Sequence, residues 1–257
     1  MRRLLRGETL AGRLLAVAAV AVALVGLVAW SFARVNVTLN PASLWEYRAR
    51  FAQGFVMTLV IAVAAGVLSL LIGVLAALGQ RSGVAVLRYL ATAYVQVIRG
   101  TPLLAQIYFF YYLIGTAWGL DNRYVAGVVI LSLFEGAYIA EIVRGGWQSI
   151  APQTFEVARA VGLDRWQSFR LVTLPILLAR TVPALAGQFA SVIKDSSLLS
   201  VIAVIELTQA TQEISAENFQ MFENYLFLGL LYFLLTFAVS VVSRALERRV
   251  GRALGAA

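Results

Sequence analysis

The sequence contains neither cysteine nor histidine. Their absence excludes disulfide bonds, thiol nucleophiles, imidazole acid–base chemistry and the common soft-metal sites. Charged residues are scarce as well: they make up 13% of the chain, whereas a soluble domain carries roughly 25%. The chain also lacks a glycine-rich phosphate loop followed by Lys and Ser or Thr. Few side chains remain with which an enzyme could work.

Long apolar runs dominate what is present. With 61% hydrophobic residues and a mean hydropathy of +0.82, the sequence is that of an integral membrane protein. The first run follows four arginines, as in a secretory signal, but it ends at Trp30 without a small-residue cleavage site, which favours an uncleaved anchor. The prediction is an all-α membrane fold of about six transmembrane helices, each near the roughly 20 residues that cross a bilayer. The predicted spans are about 14–32, 53–79, 95–118, 123–143, 175–196 and 222–246.

The distribution of basic residues predicts the orientation. Sixteen of the 21 Lys and Arg residues fall in segments that lie in the cytoplasm if the amino terminus does. The external segments hold Arg34, Arg48, Arg50 and Arg123, and Lys194 lies at a span end. The outer segment after Lys194 is acidic. Because cytoplasmic loops of membrane proteins carry the excess of positive charge, both termini are predicted to be cytoplasmic. The net charge of +8 therefore reflects orientation and does not indicate nucleic-acid binding.

A compact polar unit interrupts the apolar pattern at residues 150–174. Pro152 suits the first turn of a helix, where its missing N–H would be unpaired anyway. Gly162 can take the left-handed conformation that ends this helix, and Asp164 with Gln167 predicts a capping box for the next one. The pattern predicts two short helices joined by a tight turn, with Pro175 opening the following span. Their apolar stripes are expected to be Phe155, Ala158 and Val161, and then Trp166, Phe169 and Val172.

Three interpretations of this unit are open from the pattern alone. It could be an amphipathic connector in the lipid headgroups, a DNA-binding helix-turn-helix, or a docking element for a soluble partner. A recognition helix needs a free face for the major groove. Here the second helix leads directly into a span, which disfavours the DNA-binding interpretation.

Five segments, taken in order, resemble one family. Glu156, Ala158 and Gly162, followed by Leu174-Pro175, resemble the "EAA…G…LP" cytoplasmic motif of ABC-transporter permeases. Four further segments resemble the polar amino-acid uptake branch of this family, which includes histidine, glutamine and arginine permeases. They are "RGTPLL" at 99–104, "GAYIAEIVRGG" at 136–146, "KDSSL" at 194–198 and "IELT" at 205–208. The resemblance covers about residues 53–250. This chain departs from the family pattern at 153–158, which contains QTFEVA, after Leu174-Pro175, where a glutamine is lost, and at Gly187, where asparagine is usual.

The resemblance implies a type I ABC importer permease that moves amino acids into the cytoplasm. It implies residues 53–250 as a five-span core with a coupling loop at 150–174, preceded by an anchor-bearing segment at 1–52 and followed by a cytoplasmic tail at 251–257. Its implied partners are ABC ATPase subunits that bind ATP and magnesium, a second permease (a copy of itself or a related chain) and an extracytoplasmic amino-acid-binding protein. The location implied is the bacterial inner membrane. This chain itself would hold no cofactor or metal and catalyse no reaction. The expected ATPase-coupling residues are Phe155, Glu156, Ala158, Arg159, Gly162 and Leu163.

Polar residues at membrane depth are candidates for the substrate path. Glu135 lies in the middle of the fourth predicted span, where a charge costs roughly 2.5–3.5 kcal/mol on insertion scales and therefore faces an interior or a cavity. It is either a carboxylate that favours an ammonium group of the substrate or a structural partner of a neighbouring span. Gln106 and Tyr108 are weaker candidates, and Lys194 and Asp195 are interpreted as a gate or structural element. Gly54, Gly66, Gly73 and Gly79 are interpreted as close-packing positions.

Two other function classes are weighed against the importer. One is an ion-coupled secondary transporter, which typically shows repeated halves with interrupted spans; no such repeat is evident in the sequence. The other is a membrane sensor or scaffold that uses the cytoplasmic unit to bind a signalling protein.

Overall fold

Helices make up almost all of the chain that the structure, a computed structural model, describes, namely residues 10–35, 42–119 and 121–253. Helix α1 (Leu10–Val35) contains the first apolar stretch that could cross a membrane, Leu15–Arg34. It forms one structural unit, and helices α2 to α11 form the other. No strand occurs in the described ranges. The all-helical membrane fold predicted from composition and hydropathy is thus confirmed.

The second unit consists of ten α-helices with three irregular helical segments among them. The helices are α2 (Ala42–Glu46), α3 (Arg48–Gln80), α4 (Ala85–Gly100), α5 (Leu103–Tyr108), α6 (Arg123–Gln148), α7 (Pro152–Ala160), α8 (Arg165–Ser168), α9 (Leu174–Asp195), α10 (Leu207–Asn218) and α11 (Met221–Ala253). A π-helical stretch, Phe109–Gly115, continues α5, and a second one, Phe169–Thr173, joins α8 to α9. A 3₁₀ segment, Ser196–Ile202, extends α9.

Within the described residues, five helices are long and apolar enough to cross a membrane, and one bent pair makes a sixth. The predicted single span at 95–118 is wrong in shape: α4 ends at Gly100, and the helix beginning at Leu103 continues at an angle of 112°. Pro102 lacks an N–H and disfavours helical geometry in the residue before it. Thr101 is accordingly extended, with φ −126° and ψ 147°. An average over apolar residues does not detect such a corner.

The span predicted at 175–196 also begins elsewhere. The helical path runs without a break from Arg165 to Ile202, so Pro175 lies inside the span instead of opening it. A proline within a helix removes one backbone hydrogen bond and crowds the preceding turn. The wide π-helical turn Phe169–Thr173 lies immediately before Pro175, where it accommodates the missing bond. The second helix of the polar unit is therefore continuous with the membrane span.

Helix α6 is the centre of the packing, and α3 lies closest to it. A Cβ added at Gly73 of α3 would lie 2.5 Å from Ile139 Cγ2 and 2.9 Å from the Gly136 carbonyl oxygen of α6. Only glycine permits this approach, as is common between helices in membranes. Gly54, Gly66 and Gly79 likewise face close neighbours on α10, α9 and α4. The close-packing interpretation of these four glycines is confirmed.

An ion-pair cluster holds the start of α3 to α10. Arg50 Nη1 lies 2.6 Å from Glu217 Oε2, and Arg50 Nη2 lies 3.6 Å from Glu213 Oε2. Arg48 lies over the Trp45 ring, with its guanidinium carbon 4.6 Å from the centroid. The arginine at position 50 is thus neutralised by the acidic segment that follows α9.

Candidate coupling unit and membrane carboxyl pair

The turn after α7 is a Schellman motif built on Gly162. The Gly162 N–H donates to the Arg159 carbonyl at 3.0 Å, and the Leu163 N–H donates to the Ala158 carbonyl at 3.1 Å. Gly162 has φ +81°, a left-handed conformation that glycine adopts without strain. Helix α7 begins at Pro152. Both ends of this helix therefore form as the sequence predicts.

The start of α8 is held by the predicted capping box. The Gln167 N–H donates to Asp164 Oδ1 at 2.8 Å, and the Asp164 N–H donates to Gln167 Oε1 at 3.0 Å. Since a capping box satisfies two donors that a helix start would otherwise leave unpaired, the turn between α7 and α8 is fixed at both sides. Residues 152–168 form a defined unit.

The two faces of α7 differ in what they contact. Ala158 is buried, and Phe155 and Leu163 are half-buried along a hollow of about 280 Å³ that Trp147 and Phe169 also line. Glu156, Arg159 and Gly162 are exposed. Of the residues expected to couple to an ATPase, Phe155, Ala158 and Leu163 thus pack within the unit, Arg159 lies at the edge of the hollow, and Glu156 and Gly162 are exposed.

The outer face of α7 and its cap carry exposed apolar residues that the sequence pattern did not predict there. Val157 and Val161 are 62% and 69% exposed. Val161 was expected on the inner stripe with Phe155 and Ala158, and that expectation is wrong: α7 ends at Ala160, so Val161 lies in the cap and turns away. Trp166, expected on the second inner stripe, is also exposed. Strict helical spacing fails where a helix ends.

Aromatic and polar contacts connect this unit to three spans. The Trp147 and Phe169 rings stack with centroids 6.2 Å apart, and the Arg81 guanidinium carbon lies 4.3 Å from the Trp147 centroid. Arg180 of α9 donates to the Ser149 carbonyl at the end of α6. These residues lie at the ends of α3 and α6 and along the α8–α9 path, so the unit contacts three spans.

Two of the recognised motifs meet at the same end of the spans. Arg99 Nη1 lies 3.5 Å from Glu141 Oε2, and Arg144 Nε donates to the same oxygen at 3.0 Å. The Arg99 guanidinium carbon also lies 5.3 Å from the Tyr138 ring centroid. The "RGTPLL" and "GAYIAEIVRGG" segments therefore form one cluster that joins the α4 corner to α6.

Glu135 is fully buried between α6 and α9. Gln188 donates to its Oε2, and the carboxyl group of Asp195 lies beside it. Its Oε1 is buried without a hydrogen-bond partner among the described residues. The structure thus brings together Glu135 and Asp195, which sequence analysis treated separately, and adds Gln188, which it missed.

The other expected path residues lie in different surroundings. Gln106 Nε2 donates to the Ile98 carbonyl and to Thr101 Oγ1, both at 2.8 Å, so its amide supports the α4–α5 corner. Tyr108 is half-exposed and stacked with Tyr112 at 5.8 Å. Lys194 is exposed, whereas its neighbour Asp195 is partly buried. Among the described side chains, no hydrogen bond or ion pair joins Gln106, Tyr108 or Lys194 to Glu135.

A second buried carboxyl group, Glu206, has a structural environment. Its oxygens accept from the N–H groups of Thr208 and Gln209, each at 2.9 Å, and from Tyr232 Oη at 2.8 Å. Burial raises the pKa of Glu206 and these donors oppose that rise. The sequence places Glu206 in the acidic outer segment after Lys194, and in the structure it is the buried N-cap of α10. In the described part of the chain no group of three or more metal-ligating side chains is positioned to hold an ion.

Comparison with known proteins identifies the family. Residues 69–252 match the family described as binding-protein-dependent transport system inner membrane component. The glutamine transport system permease protein GlnP of Escherichia coli is 38% identical over 212 residues, which are 81% of this chain and 96% of that protein. The L-cystine transport system permease protein TcyB of Bacillus subtilis is 32% identical over 221 residues, which are 84% of this chain and 94% of that protein.

A solved structure supports the same assignment. The crystal structure of an amino acid ABC transporter with histidines contains a chain with a TM-score of 0.77 and 32% identity, matched over 83% of this chain and 100% of its own. In the MetNI methionine ABC transporter, a chain with 19% identity has the same fold, with a TM-score of 0.69 over 82% of this chain. The chain therefore belongs to the family of inner membrane components of binding-protein-dependent transport systems, the permeases of ABC importers.

Proposed function

We propose that this chain is the membrane-spanning subunit of an ATP-driven amino-acid importer, with ATPase subunits docked on residues 150–174. The observation that carries the docking surface is the pair of exposed valines, Val157 and Val161, on a unit fixed by a Schellman motif and a capping box. Exposed apolar residues rimmed by polar ones mark an interaction site, and the partner proposed here is a protein. Glu156 and Arg159 beside them supply a polar rim.

The helical path from Arg165 to Ile202 explains how docking acts on the membrane. It joins the docking unit to the whole length of a span without a flexible connection. When the ATPase subunits close on ATP and Mg²⁺, the unit moves with them and tilts this span. ATP binding must then favour one arrangement of the spans by several kcal/mol to shift the population decisively. This chain performs no covalent step.

The substrate path is proposed to pass the Glu135–Asp195 pair. A buried carboxyl group with only a structural role has its acceptors satisfied, as Glu206 does. Glu135 differs, because one oxygen has no donor and a second carboxyl group lies beside it. Such an acidic pocket suits an ammonium group or a basic side chain. Substrate reaches it when α6 and α9 separate, which is the movement that the coupling unit transmits.

The complete importer is proposed to contain four further components besides this chain: a second permease, two ATPase subunits and an extracytoplasmic amino-acid-binding protein. The second permease is either a copy of this chain or a related one, and together they enclose the path. ATP and Mg²⁺ bind in the ATPase subunits.

Uptake by the assembled importer in proteoliposomes tests the function. We expect amino-acid uptake that requires ATP and the binding protein and that continues when ion gradients are collapsed. A control with ATP depleted and the gradients maintained should show no uptake above background. Uptake that follows an ion gradient alone would reject the importer and favour a secondary transporter.

Both termini are proposed to lie in the cytoplasm of a bacterial cell. The excess of arginine on that side supports this orientation, as does the pairing of the external Arg50 with Glu213 and Glu217. We expect reporter fusions after Arg88 and Arg165 to be cytoplasmic and fusions near Asn40 and Glu217 to be external. An external signal at Arg165 would contradict the orientation and the docking proposal together.

A further inference from the structure

An apolar groove of about 480 Å³ runs between α9 and α11. Val182, Leu185 and Phe189 line it on α9, and Ala238, Val239 and Val242 line it on α11. Its volume lies within the range of about 300–1,000 Å³ that is typical of small-molecule sites. Of all the lining side chains only Ser243 offers a hydrogen bond, so the occupant contacts the groove mainly by an apolar part.

One end of the groove is basic. Helices α9 and α11 are successive spans that run in opposite directions. Arg180 precedes Val182 on α9, and Arg244 follows Val242 and Ser243 on α11, so both arginines lie at the same end of the groove. Both arginines are exposed. Arg180 donates to the Ser149 carbonyl, which leaves other N–H groups of its five free. Arg244 has no hydrogen-bond or ion-pair partner among the described residues.

We propose that this groove binds one anionic phospholipid of the cytoplasmic leaflet. Its acyl chain lies along Val182–Phe189 and Ala238–Val242, and its phosphate contacts Arg180 and Arg244. A guanidinium group binds phosphate through two parallel hydrogen bonds, and two such groups together favour a lipid of net negative charge over a zwitterionic one. The assignment of the leaflet rests on the orientation given under the proposed function.

The basic end of the groove distinguishes a lipid from a partner helix. An apolar helix would cover the groove but supply no anion to Arg180 and Arg244. A phospholipid supplies both an apolar chain and a phosphate.

The position of the site gives the lipid a role in coupling. Helix α9 belongs to the continuous helical path that begins at Arg165, within the proposed docking segment 150–174, and α11 packs against α9. A lipid held in the groove between them links the two spans and sets how freely α9 moves. Coupled ATP hydrolysis then depends on anionic lipid.

Lipid binding to the purified full-length chain tests this proposal. Native mass spectrometry of the detergent-solubilised protein, titrated with phosphatidylglycerol or phosphatidylcholine of identical acyl chains, measures both affinities. We expect one phosphatidylglycerol per chain, bound at least about tenfold more tightly than phosphatidylcholine, the ratio that one charge-assisted contact provides. Ala238→Trp should fill the groove and abolish this binding, while Arg244→Gln should remove the preference for the anionic lipid.

Matched variants control for nonspecific effects. Val241→Trp adds the same side chain at an exposed position of α11 outside the lining, and Arg88→Gln removes the same charge on α4; both should bind phosphatidylglycerol normally. Equal affinity for the two lipids, or retention of lipid by Ala238→Trp, would overturn the proposal. So would a loss of self-association in Ala238→Trp at unchanged lipid binding, which would assign the groove to a second copy. This measurement needs neither the ATPase subunits nor uptake. A negative result for lipid binding would therefore leave the proposed importer function standing.

Discussion

Gly162→Val is expected to reach the membrane in normal amount and to lose the stimulation of its ATPase subunit. Gly162 has φ +81°, where a β-branched side chain is strained by about 1–3 kcal/mol. A Cβ at this position would meet no other atom within 4 Å, so the strain arises in the backbone alone. The turn relieves it by opening the Schellman bonds to Arg159 and Ala158. The exposed face of α7, which carries Val157, then loses its fixed angle to the helical path of α8 and α9.

The measurement is co-purification of the ATPase subunit together with substrate-stimulated ATP hydrolysis in nanodiscs. A strain of 1.4 kcal/mol changes an equilibrium tenfold, so we expect a decrease of about tenfold or more in stimulated hydrolysis. Gly162→Asn is the matched control, because asparagine tolerates the left-handed conformation, and it should retain most of the stimulation. Normal complex formation and hydrolysis in Gly162→Val would mean that residues 150–174 are only a connector.

The local structure of residues 150–174, the proposed coupling unit, was predicted well because its determinants are local. A proline at the first turn, a glycine at the helix end and an Asp–Gln pair three residues apart each act within one or two turns of backbone. The structure forms all three: Pro152 begins α7, Gly162 is left-handed, and Asp164 and Gln167 exchange hydrogen bonds. Signals of this kind do not depend on what packs against the segment.

The shapes of the spans were predicted less well, because apolar length says nothing about bends. Pro102 breaks a span, whereas Pro175 is accommodated within one. The difference lies in the neighbours: Gln106 satisfies carbonyl groups at the first corner, and a π-helical turn precedes the second proline. Neither compensation is visible in hydropathy, so the number of spans was predictable and their ends were not.

The environment of a buried acid depends on partners that are distant in sequence. Glu135 is 53 residues from Gln188, and Glu206 is 26 residues from Tyr232. Sequence position alone put the first at membrane depth and the second in the acidic outer segment. Only the packing shows that both are buried and that one has its acceptors filled while the other does not.

These two carboxyl groups give a paired prediction. In Glu135→Gln, the new amide oxygen accepts from Gln188 and the new N–H₂ donates to Asp195, so the packing persists. In Glu206→Gln, the amide nitrogen replaces an oxygen that accepts from a backbone N–H or from Tyr232. Two donors then face each other in a buried site, at a cost of about 1–3 kcal/mol.

We therefore expect Glu135→Gln to weaken the affinity for a cationic amino acid by about tenfold or more, since a hydrogen-bonded charge contributes about 1.5–3 kcal/mol, at an unchanged yield of folded protein. Glu206→Gln should do the reverse, lowering the folded yield and thermal stability while the protein that does fold keeps its affinity. Size-exclusion yield, thermal denaturation and substrate binding to the reconstituted importer measure the two effects separately. If Glu135→Gln transports normally and instead loses stability as Glu206→Gln does, Glu135 is a structural link between α6 and α9, and the substrate path lies elsewhere.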